Sequence, residues 1–422
     1  MEIATGVKQK IIGVITVLTI FIILGALFIS ERPQNSELLA YEAQLQKIFE
    51  DAKNQFEYIR NVTLPSEIKL FVYTKQQAID RWGEDSFGLD ASNVLRQENI
   101  YKSLFLIEEN ESLDGVIMDW VASWTAVSVG NEIYVIYENY WPWDMPNAEA
   151  VLIHELTHVW QAALPVPTSY DVNRAYNALL EGDAVYMADY YKAQYNNSTR
   201  LNYANSLFIS LVFPQLNAAV YPSVSDTVST LNLFSYTYGK SFVSTLIDNG
   251  GWDQLNQSYL FEYVPSATAH ILHFDKYFAG ETAIFVLAPI PVDNNWVRIP
   301  SSYGYLSDTY GEFFVYVMLN NWLSDSKAQE VASGWAGDSF SYYEKDCDFL
   351  FVWNITWSST ECASEFTQAF SEMLNIVQAN PQGDFWFTNG RYLTLSWNPN
   401  EKSTLILCST DQTVIDPSLF TC

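Results

Sequence analysis

The stretch Asn147-Ala-Glu-Ala-Val-Leu-Ile-His154-Glu155-Leu-Thr-His158-Val-Trp-Gln161 decides how the rest of the chain is read. Its apolar residues, among them Val151, Leu152, Ile153, Leu156, Val159 and Trp160, surround two histidines four positions apart. The spacing predicts a helix that Asn147 caps and that stops by Pro165 and Pro167. Residues i and i+4 stand one above the other on a helix face, so His154 and His158 can reach one zinc ion. Glu155 projects beside that ion, where it can take a proton from a water the zinc holds.

Zinc in a hydrolytic site needs a third protein ligand and an open fourth position. Leu179-Leu-Glu181-Gly-Asp-Ala184 lies on the next predicted helix, Leu179 to Gln194, a short loop away. Glu181 would complete a His₂Glu set. Asp183 or Asp189 could accept the outer N–H of a zinc histidine and fix its tautomer.

Upstream, Glu37 to Arg60 carries Leu38, Tyr41, Leu45, Ile48, Phe49, Ala52, Phe56 and Ile59 at helical spacing. Ile68 to Tyr73 reads as a strand, followed by a helix through Trp82. A second strand, Glu132 to Tyr137, follows the turn signal Gly130-Asn131. As the strand before the histidine helix, Ile133–Tyr137 is a candidate edge for pairing with an extended peptide, or an interior strand with one aromatic face. Trp141 and Trp143, in the loop that follows, could line a cleft or pack on the core. The pattern to about residue 330 is mixed but largely helical.

Ile11 to Ile29 contains no charge, enough at 1.5 Å per residue to cross a bilayer core of about 30 Å. Lys8 and Lys10 precede it, whereas Glu31 and Arg32 nearly cancel. The expectation is a cytoplasmic N-terminus (1–10), a transmembrane helix (11–29), a helical stalk (31–60), a catalytic region (61–335) and a C-terminal disulfide-bearing segment (336–422). That is a single-pass cell-membrane protein with its catalytic region outside; a cleaved signal peptide is the alternative. Sequons at Asn61, Asn110, Asn197, Asn256 and Asn354 fit an exported glycoprotein.

Lys and Arg number 21 against 49 Asp and Glu, a net charge of −28, which repels phosphate backbones and excludes nucleic acid as a partner. The four cysteines are Cys347, Cys362, Cys408 and Cys422, without CxxC spacing. In an exported domain they are expected to pair as Cys347–Cys362 and Cys408–Cys422.

HELTH followed by EGDA resembles the gluzincin clan of metallopeptidases, which use HExxH and a Glu on the following helix. Softer stretches resemble archaeal and bacterial cell-surface gluzincin-like proteins: Phe234-Ser-Tyr-Thr-Tyr-Gly239, Gly250-Gly-Trp252, Pro265 to His273, Gly311-Glu-Phe313 and Gly334 to Asp338. The resemblance spans about residues 60–380. Where those proteins read PxSTEQILHP, Thr268 and His273 match, whereas Ala267, Ala269, His270 and Phe274 depart. The resemblance implies a Tyr or His that faces the developing oxyanion; His273 is the first candidate, with Tyr238 and Tyr236 behind it, and His270 is structural.

The fold expected is α+β: a zincin-like domain with a mostly helical C-terminal half, preceded by one transmembrane helix. The function expected is hydrolysis of a peptide or protein substrate by a Zn²⁺ enzyme. The alternatives are a surface binding or structural protein with a vestigial or structural zinc site, and a zinc hydrolase of a non-peptide amide.

Overall fold

The computed structural model describes residues 35–83, 91–162, 164, 169–195, 226–302, 304–398 and 400–421. The N-terminal part begins with α1 (Asn35–Arg60), β1 (Lys69–Tyr73), α2 (Lys75–Trp82), α3 (Ala91–Ser103) and α4 (Leu113–Ser123). It continues with β2 (Ala126–Val129), β3 (Glu132–Ile136), α5 (Asn147–Gln161), α6 (Tyr170–Tyr195) and α7 (Asp226–Gln257), which kinks at Gly250–Gly251. Then come α8 (Thr268–Leu272), α9 (Phe274–Ala279), β4 (Ile290–Pro291), β5 (Val297–Ile299), α10 (Gly311–Asn320) and α11 (Asp325–Ala332). The last stretch holds β6 (Trp335–Lys345), β7 (Asp348–Trp357), α12 (Thr360–Ile376), β8 (Asn380–Gln382), β9 (Phe385–Thr388), β10 (Arg391–Trp397), β11 (Ser403–Ser409) and β12 (Phe420–Thr421).

A three-stranded sheet of order β1-β3-β2 lies beside α5. β3 is central, parallel to β1 and antiparallel to β2. The apolar face of α1, with Tyr41, Leu45, Ile48, Phe49, Ala52 and Phe56, is buried in one core with Val151, Leu152, Leu156 and Val159 of α5. The expected stalk is therefore docked onto the helix that carries the histidines. An amphipathic face of that length finds its burial against the nearest apolar helix.

The expected fold class is corrected in two respects. Among the described residues no helix is long and apolar enough to cross a membrane. The run Ile11–Ile29 lies outside the described residues, and the transmembrane helix and the single-pass membrane placement built on it are not carried forward. Nor is the C-terminal half mostly helical: it is organised by a seven-stranded antiparallel sheet of order β5-β6-β7-β11-β10-β9-β8. Helix α12 covers one face with Phe366, Phe370 and Met373, while Trp296, Leu350, Val352 and Leu407 fill a smaller core on the other. Burial on both faces removes the alternation that marks a half-exposed strand, so Phe349 to Trp353 reads as an undifferentiated apolar run.

The sheet also corrects the disulfide expectation. Cys347 sits in the β6–β7 turn, whereas Cys362 is in the first turn of α12, beyond the far end of β7. Ten strand residues hold them roughly 30 Å apart, and both are free thiols, as is the buried Cys408. Cys422 lies outside the described residues.

Candidate metal centre

Helix α5 is buried almost all round; His158 and Trp160 alone between Ala148 and Gln161 are part-exposed. Its N-cap is Pro146, and Asn147, the expected cap, is the first helical residue, bonded by its side chain to Asp144. His154 and His158 project from one side of this helix with their ring centroids 4.7 Å apart.

Glu181 arrives from α6. That helix can lie so close because Ala178 and Gly182 face Gly239 of α7: a Cβ on Gly182 would collide with the Gly239 carbonyl. The contact also delivers Tyr236 of α7 to the same place.

His154 Nε2 and His158 Nε2 are 3.1 Å apart. Glu181 Oε2 lies 3.2 Å from the second and 3.3 Å from the first. These near-equal edges match a tetrahedron with ligand bonds of about 2.0–2.1 Å, whose edge is about 3.3 Å. Two imidazole nitrogens and a carboxylate oxygen turned towards one point can hold a metal ion there. Burial works against charge on His158, but the Glu181 carboxylate outweighs it and pushes the imidazole up to about 9. Burial alone would also raise Glu181; the two imidazoles overcome it and keep that carboxylate far below its usual range. The centre is thus a site for positive charge.

Glu155 is buried next to this triangle. Burial raises its pKa, the two imidazoles pull it down, and the Ser128 side chain on β2 hydrogen-bonds it. Above lies a cleft of about 390 Å³, lined by Trp120, Trp124, Val127, Ser128, Tyr176 and Tyr236 besides the histidines and both glutamates. Its strand side is β2, at an edge of the sheet; of the two readings of Ile133–Tyr137, the interior strand holds and the pairing edge does not. The four residues Ala126-Val-Ser-Val129 are short enough to pass as a loop in sequence.

The oxyanion candidates separate. Tyr236 lines the cleft with its ring nearly parallel to His154, centroids 6.5 Å apart and planes at 14°. Burial, then the charges of Glu181 and Glu155, raise its phenol well above normal, and it hydrogen-bonds Glu181. Tyr238 packs instead on Phe234 and Phe313; two residues along a helix lie on nearly opposite faces. His273 is outside the cleft lining, its Nε2 2.5 Å from Glu312 Oε1. His270 is structural, accepting from Ser266 N and bonded to the Glu281 carbonyl. Trp141 and Trp143 pack on each other, Trp143 also on Tyr41, away from the cleft lining.

The partners of the ligands also differ from expectation. Asp189 pairs with Lys240. Asp183 bonds neither His154 nor His158; it accepts from Arg60 at 2.8 Å and from Tyr259 at 2.7 Å. Gln161 takes the place expected for an acid, with Oε1 2.8 Å from His158 Nδ1. Its spacing of three from His158 was the one signal in the sequence that could have found it.

A family model described as "Domain of unknown function (DUF8575)" matches residues 301–409. It covers strands β6 to β11 of the large sheet and leaves β5 and the candidate metal centre outside. The chain is also similar to a solved structure from Chloroflexus aurantiacus described as a "putative hydrolase with a novel fold", at 12% identity and a TM-score of 0.37, over 59% of this chain and 92% of that one. A search of curated proteins gives no match.

Proposed function

We propose that the chain is a zinc-dependent peptidase of the gluzincin type. The observation that carries this reading is the triangle of His154, His158 and Glu181 with a buried carboxylate, Glu155, beside it on the cleft floor. The three donors would hold the ion, and two imidazoles with one carboxylate form a set that suits zinc. When bound, zinc supplies a Lewis acid that polarises a carbonyl and lowers the pKa of water.

The chain's own residues do the rest. Glu155 accepts a proton and returns it to the leaving amine, a role favoured by a pKa that burial lifts towards neutrality. Tyr236 lines the same space with its hydroxyl bonded to Glu181; turned from that carboxylate, it would donate to an oxygen gaining negative charge. The edge of β2 offers backbone groups along which an extended peptide can pair. A purely structural zinc site is closed by a fourth protein donor. Here three donors converge among the described residues, beneath an open cleft.

The test is Glu155→Gln, assayed with a mixed peptide library and by zinc stoichiometry. Zinc should stay bound while cleavage disappears; cleavage at the wild-type rate would remove Glu155 from the chemistry. One zinc per wild-type chain with no cleavage of any peptide would overturn the peptidase reading in favour of a binding protein or a hydrolase of a non-peptide amide.

A further inference from the structure

We infer that Gln161, Tyr259, Asp183 and Arg60 form a positioning relay that sets which nitrogen of His158 faces the metal, an inference that rests on the metal-centre reading above. The chain of contacts is continuous. His158 Nδ1 is 2.8 Å from Gln161 Oε1. Gln161 Nε2 donates to the Tyr259 hydroxyl at 3.0 Å and to the Leu180 carbonyl at 3.1 Å. Tyr259 donates to Asp183 Oδ2 at 2.7 Å, and Arg60 donates to the same oxygen at 2.8 Å.

The direction of every bond follows from the one group whose protonation is not in question. Arg60 is always a donor, so Asp183 is an acceptor. Asp183 Oδ2 takes the Tyr259 proton, which leaves the Tyr259 oxygen to accept from Gln161. The Leu180 carbonyl can only accept, so the Gln161 amide nitrogen must face it and Tyr259. Gln161 Oε1 is thereby turned towards His158, and an amide oxygen can only accept. His158 Nδ1 therefore always carries a proton, and Nε2 is the nitrogen left to offer its lone pair to an ion at the point shared with Glu181 and His154.

The far end of the relay is held rigid. The Arg60 guanidinium lies between two indoles, 4.8 Å from the Trp160 ring and 4.5 Å from Trp252. Both it and Asp183 have side chains that are essentially inaccessible, at 1% and 0%. α1 supplies Arg60, α5 supplies Trp160 and Gln161, α6 supplies Asp183, α7 supplies Trp252, and the turn that follows α7 supplies Tyr259. The docking of α1 is thus transmitted to a metal ligand. A neutral amide, where a carboxylate would also serve, keeps His158 in the right tautomer without adding negative charge beside the ion.

The test is the affinity of the full chain for Co²⁺ and Zn²⁺, with the Co²⁺ visible absorption bands as a second readout. Gln161→Met keeps the side-chain length but offers Nδ1 only a weak thioether acceptor; it should weaken binding about 10–100-fold and shift the cobalt bands. Gln161→Glu restores an acceptor and should bind within about threefold of wild type. A merely structural role would give the opposite ranking, because a buried carboxylate disturbs packing more than Met does. Wild-type affinity and bands in Gln161→Met would overturn the relay. If Gln161→Met does not fold, Tyr259→Phe decides: weakened cobalt binding with shifted bands supports the relay, and unchanged binding overturns it. Failure of wild type to bind either ion would instead overturn the metal centre, and the relay with it.

Discussion

The backbone of Gly182 on α6 touches that of Gly239 on α7, and this contact brings Glu181 and Tyr236 to the histidine helix together. No side chain fits between the two helices there. The glycine after Glu181 is therefore required by packing and not by chain flexibility.

Gly182→Ala is expected to force α6 and α7 apart, at a cost of about 1–3 kcal/mol from overpacking. It should also weaken zinc binding, because Glu181 moves with α6. Urea unfolding and zinc titration check the two effects; a variant with wild-type midpoint and affinity would contradict the close approach.

Tyr236→Phe should lower kcat roughly 100-fold with little change in KM, as expected for a donor that matters when charge develops. Tyr238→Phe and His273→Ala should leave kcat near wild type, since neither side chain lines the cleft. A large loss in Tyr238→Phe or His273→Ala, with Tyr236→Phe unaffected, would reverse the assignment.

Arg60→Ala leaves the Asp183 charge buried without its guanidinium partner, and should destabilise the fold by about 3–5 kcal/mol. The denaturant midpoint measures this. A change under about 0.5 kcal/mol would place Arg60 among surface groups.

Asp338 is buried beneath α10, where it accepts from Tyr310 N, Gly311 N and Trp353 Nε1. Burial, only partly offset by these bonds, pushes its pKa from 3.8 up to about 7. Between those values the folded chain keeps a proton that the unfolded chain has lost, so this group's contribution to stability falls as pH rises. Asp338→Asn should therefore gain stability relative to wild type between about pH 4 and pH 7, by at most about 4 kcal/mol. Melting temperatures of both proteins across that range read the difference. A gap that shrinks with rising pH would show that Asp338 is ionised in the fold.

The candidate ligands were legible because their signal is local. His154 and His158 need one helical turn to meet, and Glu181 needs only the next helix. The amphipathic pattern of α1 was legible for the same reason, although its docking onto α5 was not. The large sheet escaped because β6 and β7 are buried on both faces, so no period-two alternation marks them.

By itself, the sequence determined which side chains could bind a cation and which carboxylate stands beside them. These follow from helical spacing, a property of the chain over a few residues. Only the tertiary structure placed Tyr236, and neither Tyr238 nor His273, in the cleft lining, made β2 the cleft edge, and placed Gln161 and not Asp183 on His158. It also joined Arg60 to Asp183 across 123 positions and Gln161 to Tyr259 across 98. Contacts at such separations depend on how whole helices pack, here on two glycines that let α6 and α7 touch, and no local pattern encodes them.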